Sequence, residues 1–203
     1  MARRNPQRPD AAAGARAAGP AGAEPDPTCL VPPGCTWPIV LGIDPGTRLV
    51  GYGALVVAPD GPRLLAAGTI RAGAREAVAL RLERIRHEVD ALLVRCRPAE
   101  VVVERAYAAR NVQAALRLGE ARGVILACAA AYGAHVAELA PSEAKRAVCG
   151  NGGASKEQVA RTIASWLELE QPPGSLDTTD ALALALAWVR RAEWARRIAG
   201  QAR

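Results

Sequence analysis

The stretch Ile39-Val40-Leu41-Gly42-Ile43-Asp44-Pro45-Gly46-Thr47-Arg48-Leu49-Val50-Gly51-Tyr52-Gly53 constrains this chain more than any other. An apolar run of strand length ends in one acid and Pro-Gly follows at once, so a buried strand delivers a carboxylate to its end before the chain turns away. Asp44 is therefore the first candidate for chemistry, with a capping or turn aspartate as the plain alternative. Gly46, Gly51 and Gly53 relieve crowding around it and let backbone or a ligand come close.

Beyond it, Gly51 to Ala58 continues as a second strand, Pro59-Asp60-Gly61-Pro62 reads as a turn, and Arg63 to Arg71 forms a third strand closing an antiparallel meander. The period then changes. From about Glu76 to Cys96 the apolar residues Val78, Leu82, Ile85, Val89 and Leu92 recur at helical spacing, with Arg81, Glu83, Arg84, Arg86, Glu88 and Asp90 on the wet side. Pro98 ends that helix. Glu100-Val101-Val102-Val103-Glu104 is a short strand between helices, the buried parallel kind, and it too ends in a carboxylate. A charge at the end of a core strand is costly unless paired or metal-bound, so its repetition points to a site.

Asn111 to Tyr132 reads as a second helix, in which Gly119 and Gly123 allow close contact with the sheet or another helix. His135 to Leu139 is a fifth strand, and Pro141-Ser142-Glu143 opens a third helix running to about Cys149. His87 and His135 have no nearby partner pattern and read as surface or core histidines rather than ligands. The Gly150-Asn151-Gly152-Gly153-Ala154-Ser155-Lys156 loop is not a nucleotide-binding P-loop, which requires Gly before its Lys and Ser or Thr after it. Ser155 instead caps a helix through Trp166, with Gln158 completing a capping box. Lys156 then stands in its first turn, placed to hold a phosphate. After Pro172-Pro173-Gly174 a strongly apolar helix begins at Leu176, and Asp177 and Asp180, three apart near its start, share one face.

The 203 residues, 50% of them hydrophobic, suffice for one sizeable core. Residues 1–36 are mostly Ala, Gly, Pro and Arg without apolar period, which reads as a disordered leader or an upstream choice of start codon. No continuous apolar segment follows Arg3-Arg4, so no export signal is read there. No stretch is long and apolar enough to span a bilayer, and a soluble cytoplasmic protein is expected. Cys29, Cys35, Cys96, Cys128 and Cys149 are odd in number, fit no zinc spacing and read as reduced thiols. Of the net charge of +6, four Arg against Asp10, Glu24 and Asp26 leave +1 on the leader, so the remainder lies on the folded part, where it can steer a polyanion.

Four acids stand out: Asp44 and Glu104 at strand ends, Asp177 and Asp180 on a helix that should pack against them. Gathered like charges repel and raise each other's pKa unless divalent cations neutralise them. Oxygen-only ligands favour Mg2+ or Mn2+. Two such ions about 3.5–4 Å apart activate a water and stabilise both oxygens of a phosphodiester displacement.

Ile43-Asp44-Pro45-Gly46 with Gly51-Tyr52-Gly53, Val103-Glu104-Arg105-Ala106-Tyr107 with Asn111 and Ala115-Leu116-Arg117-Leu118-Gly119-Glu120-Ala121-Arg122-Gly123, Lys145, Lys156, and Asp177-Thr178-Thr179-Asp180-Ala181-Leu182-Ala183 together resemble the RuvC family of Holliday-junction resolvases. The resemblance runs from residue 38 to about residue 190. It implies an α/β, ribonuclease-H-like fold with a five-stranded mixed sheet, the first three strands antiparallel, and helices on both faces. It also implies a symmetric homodimer that nicks four-way DNA junctions in pairs with Mg2+, two ions per site and Mn2+ able to substitute, and that works with the bacterial branch-migration complex. Carried over by residue, the metal-binding and catalytic acids are Asp44, Glu104, Asp177 and Asp180, and some members have His at the position of Asp177. Lys145 and Lys156 match basic DNA-contacting residues near the scissile strand, Lys156 with a catalytic role, and Tyr107 matches the junction-contacting aromatic, commonly Phe. The nuclease domain is then expected over residues 37–198, with 199–203 a flexible C-terminus. Rival readings are a same-fold nuclease acting on ribosomal RNA precursors, an inactive junction-binding scaffold, and a sugar-kinase or actin-like ATPase, for whose two domains the chain is too short.

Overall fold

The computed structural model describes residues 30–73, 75–105 and 111–201, with side chains through residue 193. Strands β1 (Ile39–Asp44), β2 (Leu49–Ala58) and β3 (Gly61–Arg71) form the antiparallel meander, and β4 (Glu100–Glu104) and β5 (His135–Leu139) extend it in parallel. The sheet order is β3-β2-β1-β4-β5. Helices α1 (Val78–Cys96) and α2 (Val112–Tyr132) cover one face; α3 (Pro141–Cys149), α4 (Lys156–Trp166) and α5 (Leu176–Gln201) lie on the other. This is the five-stranded mixed α/β sheet of ribonuclease-H-like folds.

Strand alternation sets what each face receives. Ile39, Leu41, Ile43, Val101 and Val103 enter the core with α1 and α2, while Val40 and Val102 enter the core with α5. A period of two therefore sends Asp44 and Glu104 to the α5 side. Both strands are buried on both faces along their length, so their ends are the first places where a carboxylate can meet anything but apolar atoms.

Four local expectations change. The turn after β2 is tighter than its Pro and Gly content predicts: Gly61, at φ 141°, pairs with Ala58, and β3 starts there. Leu30, Val31 and Cys35 pack on the α1–α2 core, and the Leu30 N–H donates to the Arg95 carbonyl at 2.9 Å. The folded unit thus includes residues 30–36, which composition alone assigns to the leader: a few apolar side chains without period are enough where the end of α1 offers a carbonyl and a surface. At the other end, α5 continues to Gln201, so residues 199–201 prolong a helix rather than a flexible tail. Gly119 and Gly123 meet no neighbour among the described residues, since a Cβ on either would find nothing within 4 Å. Cys35, Cys96, Cys128 and Cys149 are free thiols, and His87 and His135 lie on the surface. Cys29 lies outside the described residues.

The α5 helix reaches the sheet more closely than side chains would permit. A Cβ on Gly42 would stand 2.0 Å from the Ala181 carbonyl oxygen, and one on Gly51 2.2 Å from that of Asp177. On the neighbouring strand, Gly53 pairs with Gly42 and lies under Leu182. Helix backbone thus rests directly on strand backbone. In Gly51→Ala the clash is with a carbonyl that cannot rotate away, so we expect a loss of about 1–3 kcal/mol in urea unfolding. Gly153→Ala, whose Cβ finds only Asn151 Oδ1 at 3.5 Å, serves as the control and should stay within about 0.5 kcal/mol of wild type. Equal stabilities for the two variants would show that α5 is free to move off the sheet.

Candidate active site

Asp44 and Glu104 close adjacent parallel strands, in the crevice beyond the carboxyl ends where open α/β sheets bind ligands. The first turn of α5 comes to the same place. Ser175 starts it, accepting from the Thr178 N–H at 3.4 Å, and the Thr179 hydroxyl donates to the Ser175 carbonyl at 3.1 Å. Thr178 and Thr179 are both buried, which fixes the rotation of the helix and leaves Asp177 and Asp180 half-buried on its sheet side. Asp177 sits over Gly51, the register partner of Asp44.

Two lysines complete the site. Lys145 comes from α3 and donates to the Ala154 carbonyl at 3.1 Å, tying α3 to the loop before α4. The Ser155 cap and its Gln158 partner start α4 as expected, and Lys156 in the first turn donates to Asp180 Oδ2 at 2.6 Å. Asp44, Glu104, Asp180, Lys145 and Lys156 line one cavity of about 250 Å3, closed by Pro141, Ala144, Ala183 and Leu184. Grooves of about 610 and 800 Å3 exist elsewhere, but neither contains any of the four acids. Asp177 stands outside the cavity lining, although its charge acts on Asp44.

The electrostatics register this crowding. Burial first, then the charges of Glu104, Asp180 and Asp177, push the Asp44 carboxyl from 3.8 up to about 8, against the pull of Lys156. Glu104 is raised by burial and then by Asp180, with Lys156 and Lys145 opposing. The Lys156 ammonium is raised in turn, chiefly by its hydrogen bond to Asp180. Among the described residues no three His, Cys, Asp or Glu side chains already stand as a cation-binding group. The donor set nevertheless fits a hard divalent cation: it is all carboxylate, and burial with the neighbouring acids raises Asp44 despite the pull of Lys156.

Tyr107 lies outside the described residues. Four residues gain a place that spacing alone did not assign them: Arg105, Arg122, Glu138 and Glu143 form a linked set around the end of β4. Their partners are far apart in sequence, so no local pattern announces them.

The Asp44 shift sets a pH dependence. Between the unfolded value near 3.8 and the folded value of about 8 the native chain binds the extra proton, so this group's contribution makes stability fall as pH rises through that window. Without divalent cation, Asp44→Asn should flatten the decline between about pH 5 and pH 8 and be more stable than wild type at the upper end. Urea unfolding in EDTA at several pH values measures this; parallel curves for the two proteins would contradict the strained carboxyl.

The family model described as crossover junction endodeoxyribonuclease RuvC matches residues 40–188. The RuvC of Anaeromyxobacter dehalogenans is 47% identical over 167 residues, 81% of this chain and 88% of its own. That of Chlorobium phaeovibrioides is 46% identical over 151 residues, 73% of this chain and 79% of its own. The Thermus thermophilus RuvC structure matches with a TM-score of 0.71 at 34% identity, covering 77% of this chain and 96% of that one. The same protein in complex with Holliday junction substrate matches at 0.70 and 31%. With a matching fold, and with the acids at the ends of β1 and β4 and at the start of α5, the chain belongs to the RuvC family of crossover junction endodeoxyribonucleases.

Proposed function

We infer that the protein resolves four-way DNA junctions as an endodeoxyribonuclease, hydrolysing phosphodiesters with divalent metal. The observation that carries this is the cavity in which acids from β1, β4 and α5 meet lysines from α3 and α4 in a RuvC-family fold. Asp44, Glu104, Asp177 and Asp180 are assigned to hold Mg2+, two ions per site, with Mn2+ as a substitute. Bound there, the metal supplies an activated water and neutralises the oxygens of the displacement. Asp44 must give up its proton to act as a ligand, so cation binding should release protons and tighten as pH rises.

Lys156 is half-exposed and already reaches the acid cluster, which supports assigning its ammonium to the phosphate under attack, where charge grows in the transition state. Lys145, held against the α4 loop, is assigned a backbone contact on the same strand. Tyr107, three residues beyond Glu104 in sequence, is assigned to stack on bases opened at the junction centre, a contact worth about 1–3 kcal/mol. Paired nicks require two such sites related by symmetry, and the homodimer has a surface to form on. Val112 and Leu116 are exposed at 72% and 59%, and Gly119, Gly123 and Ala127 continue their stripe on the outer side of α2. We assign the branch-migration complex of the bacterial cytoplasm as a further partner. No described helix is long and apolar enough to cross a membrane.

The reading is tested by incubating the protein with end-labelled four-way junction, duplex DNA and single-stranded RNA, with Mg2+ or with EDTA. Paired nicks in the junction alone, and only with Mg2+, are expected; preferential cutting of RNA overturns it. In the same assay Lys156→Ala should slow single-turnover cleavage by about 10²–10³-fold while leaving junction affinity nearly unchanged, because a contact made in the transition state appears in the rate. A large loss of affinity at an unchanged saturating rate would reassign Lys156 to ground-state binding.

A further inference from the structure

The Arg122 guanidinium on α2 does two things at once: its Nε donates to the main-chain carbonyl of Glu104 at 3.3 Å, and its Nη2 pairs with Glu138 Oε1 at 2.6 Å. The arginine side chain is 21% exposed, against 43–59% for the arginines of the other exposed ion pairs, so this pair is held in place by its surroundings. Glu138 is on β5, opposite Val103 in the ladder. The carbonyl Arg122 selects is a vulnerable one. Pairing of β4 with β1 ends at Ile43 and Val103, and the chain after Asp44 continues into Pro45, which has no N–H with which to extend the ladder.

The clamp continues around the strand end. Arg105, the residue after Glu104, donates its own N–H to the Leu139 carbonyl at 2.8 Å and its Nη2 to the Glu138 carbonyl at 3.3 Å. Its Nη1 lies 3.7 Å from Glu143 Oε2, and that oxygen accepts from the Ala140 N–H at 2.8 Å where α3 begins. One run of charged side chains therefore joins α2, β4, β5 and the helix that carries Lys145. It passes behind Glu104 without entering the cavity that Glu104 lines.

We propose that Arg122, held by Glu138, is a positioning residue that fixes the Glu104 peptide so that its carboxylate is presented to the metal. The proposal rests on the metal-dependent reading of the site given above. Support of this kind behind a ligand is worth 10–100-fold in metal affinity in other metal sites.

The test compares wild type, Arg122→Lys, Arg122→Ala and Glu138→Gln as full-length proteins, reading three quantities: Mg2+ and Mn2+ binding by calorimetry without DNA, the Mg2+ concentration for half-maximal single-turnover cleavage, and junction affinity in EDTA. Arg122→Ala should weaken cation binding and raise the half-maximal Mg2+ about tenfold or more, with cleavage recovering at high Mg2+ and junction affinity unchanged. Arg122→Lys, which keeps a charge at Glu138 without the planar fork, should fall between it and wild type, and Glu138→Gln should shift in the same direction. If Arg122→Ala is too unstable to assay, the other two variants carry the comparison. Unchanged cation affinity in folded variants, or weakened junction binding at unchanged Mg2+ dependence, overturns the positioning role. Failure of wild type itself to bind the cations or cleave the junction would instead sink the functional reading.

Discussion

The direct contact of the α5 backbone with the glycine-lined face of β1 and β2 is the constraint on which the site depends. Gly42, Gly51 and Gly53 are spaced by the strand register so that three missing Cβ atoms open one shallow trough, and the first turns of α5 lie in it. A helix raised by a layer of side chains would carry Asp177 and Asp180 away from Asp44. The same contact buries Asp44, and burial is the largest cause of its raised pKa. Packing and chemistry therefore have one origin here: the apolar run Ala181-Leu182-Ala183-Leu184-Ala185-Leu186 drives the helix down, and the acids at its start are carried along.

Bringing four carboxylates together in this way opposes folding, and the rest of the α5 side of the molecule offsets that cost. Lys156 enters from a helix whose start is fixed by a reciprocal cap, and Lys145 from a helix tied to the same loop by its own ammonium. Lys145 is held by a backbone carbonyl outside the acid cluster, whereas the Lys156 ammonium is held by Asp180 within it. Two ammonium groups against four acids still leave a deficit of positive charge, which a divalent cation is suited to fill. A site assembled this way is less stable than an apolar filling of the same volume would be, the usual relation between active-site charge and fold stability.

Much of this was legible in the sequence because the informative signals are local. The strand ends at Asp44 and Glu104 follow from apolar runs broken by Pro-Gly and by polar residues; the pairing of Asp177 with Asp180 follows from helical spacing; the Ser155 cap follows from its Gln158 partner. What stayed hidden depends on residues far apart in the chain. Nothing near Arg122 announces Glu138 or the Glu104 carbonyl, and nothing near His135 announces that its ring nitrogen lies 2.6 Å from Glu100 while Trp188 donates to the same carboxylate. Composition places Leu30, Val31 and Cys35 in the leader because three apolar residues among prolines show no period, and their surface comes from the core beside α1. The spacing of Gly119 and Gly123 suggests a close approach, but no partner meets them among the described residues, and spacing cannot say whether a neighbour would belong to the same chain.

That last ambiguity bears on how two cuts come to be paired. The inner side of α2 buries Ala121, Ile125, Cys128 and Ala129 against the sheet, and its outer side presents the Val112, Leu116, Gly119 and Gly123 stripe on which the proposed homodimer would form. Arg122 lies between these two sides and reaches the peptide of Glu104. A single helix of 21 residues thus meets the core, carries the stripe of the proposed dimer and reaches the strand end that Glu104 closes. Small residues along the outer stripe would let two such helices approach closely. A homodimer contact on the outer stripe would therefore lie on the same helix as the arginine that donates to the Glu104 carbonyl. In the proposed homodimer the spacing of the two sites and the hold on each Glu104 peptide would then be referred to the same helix, which is what paired nicking of two opposed strands would require.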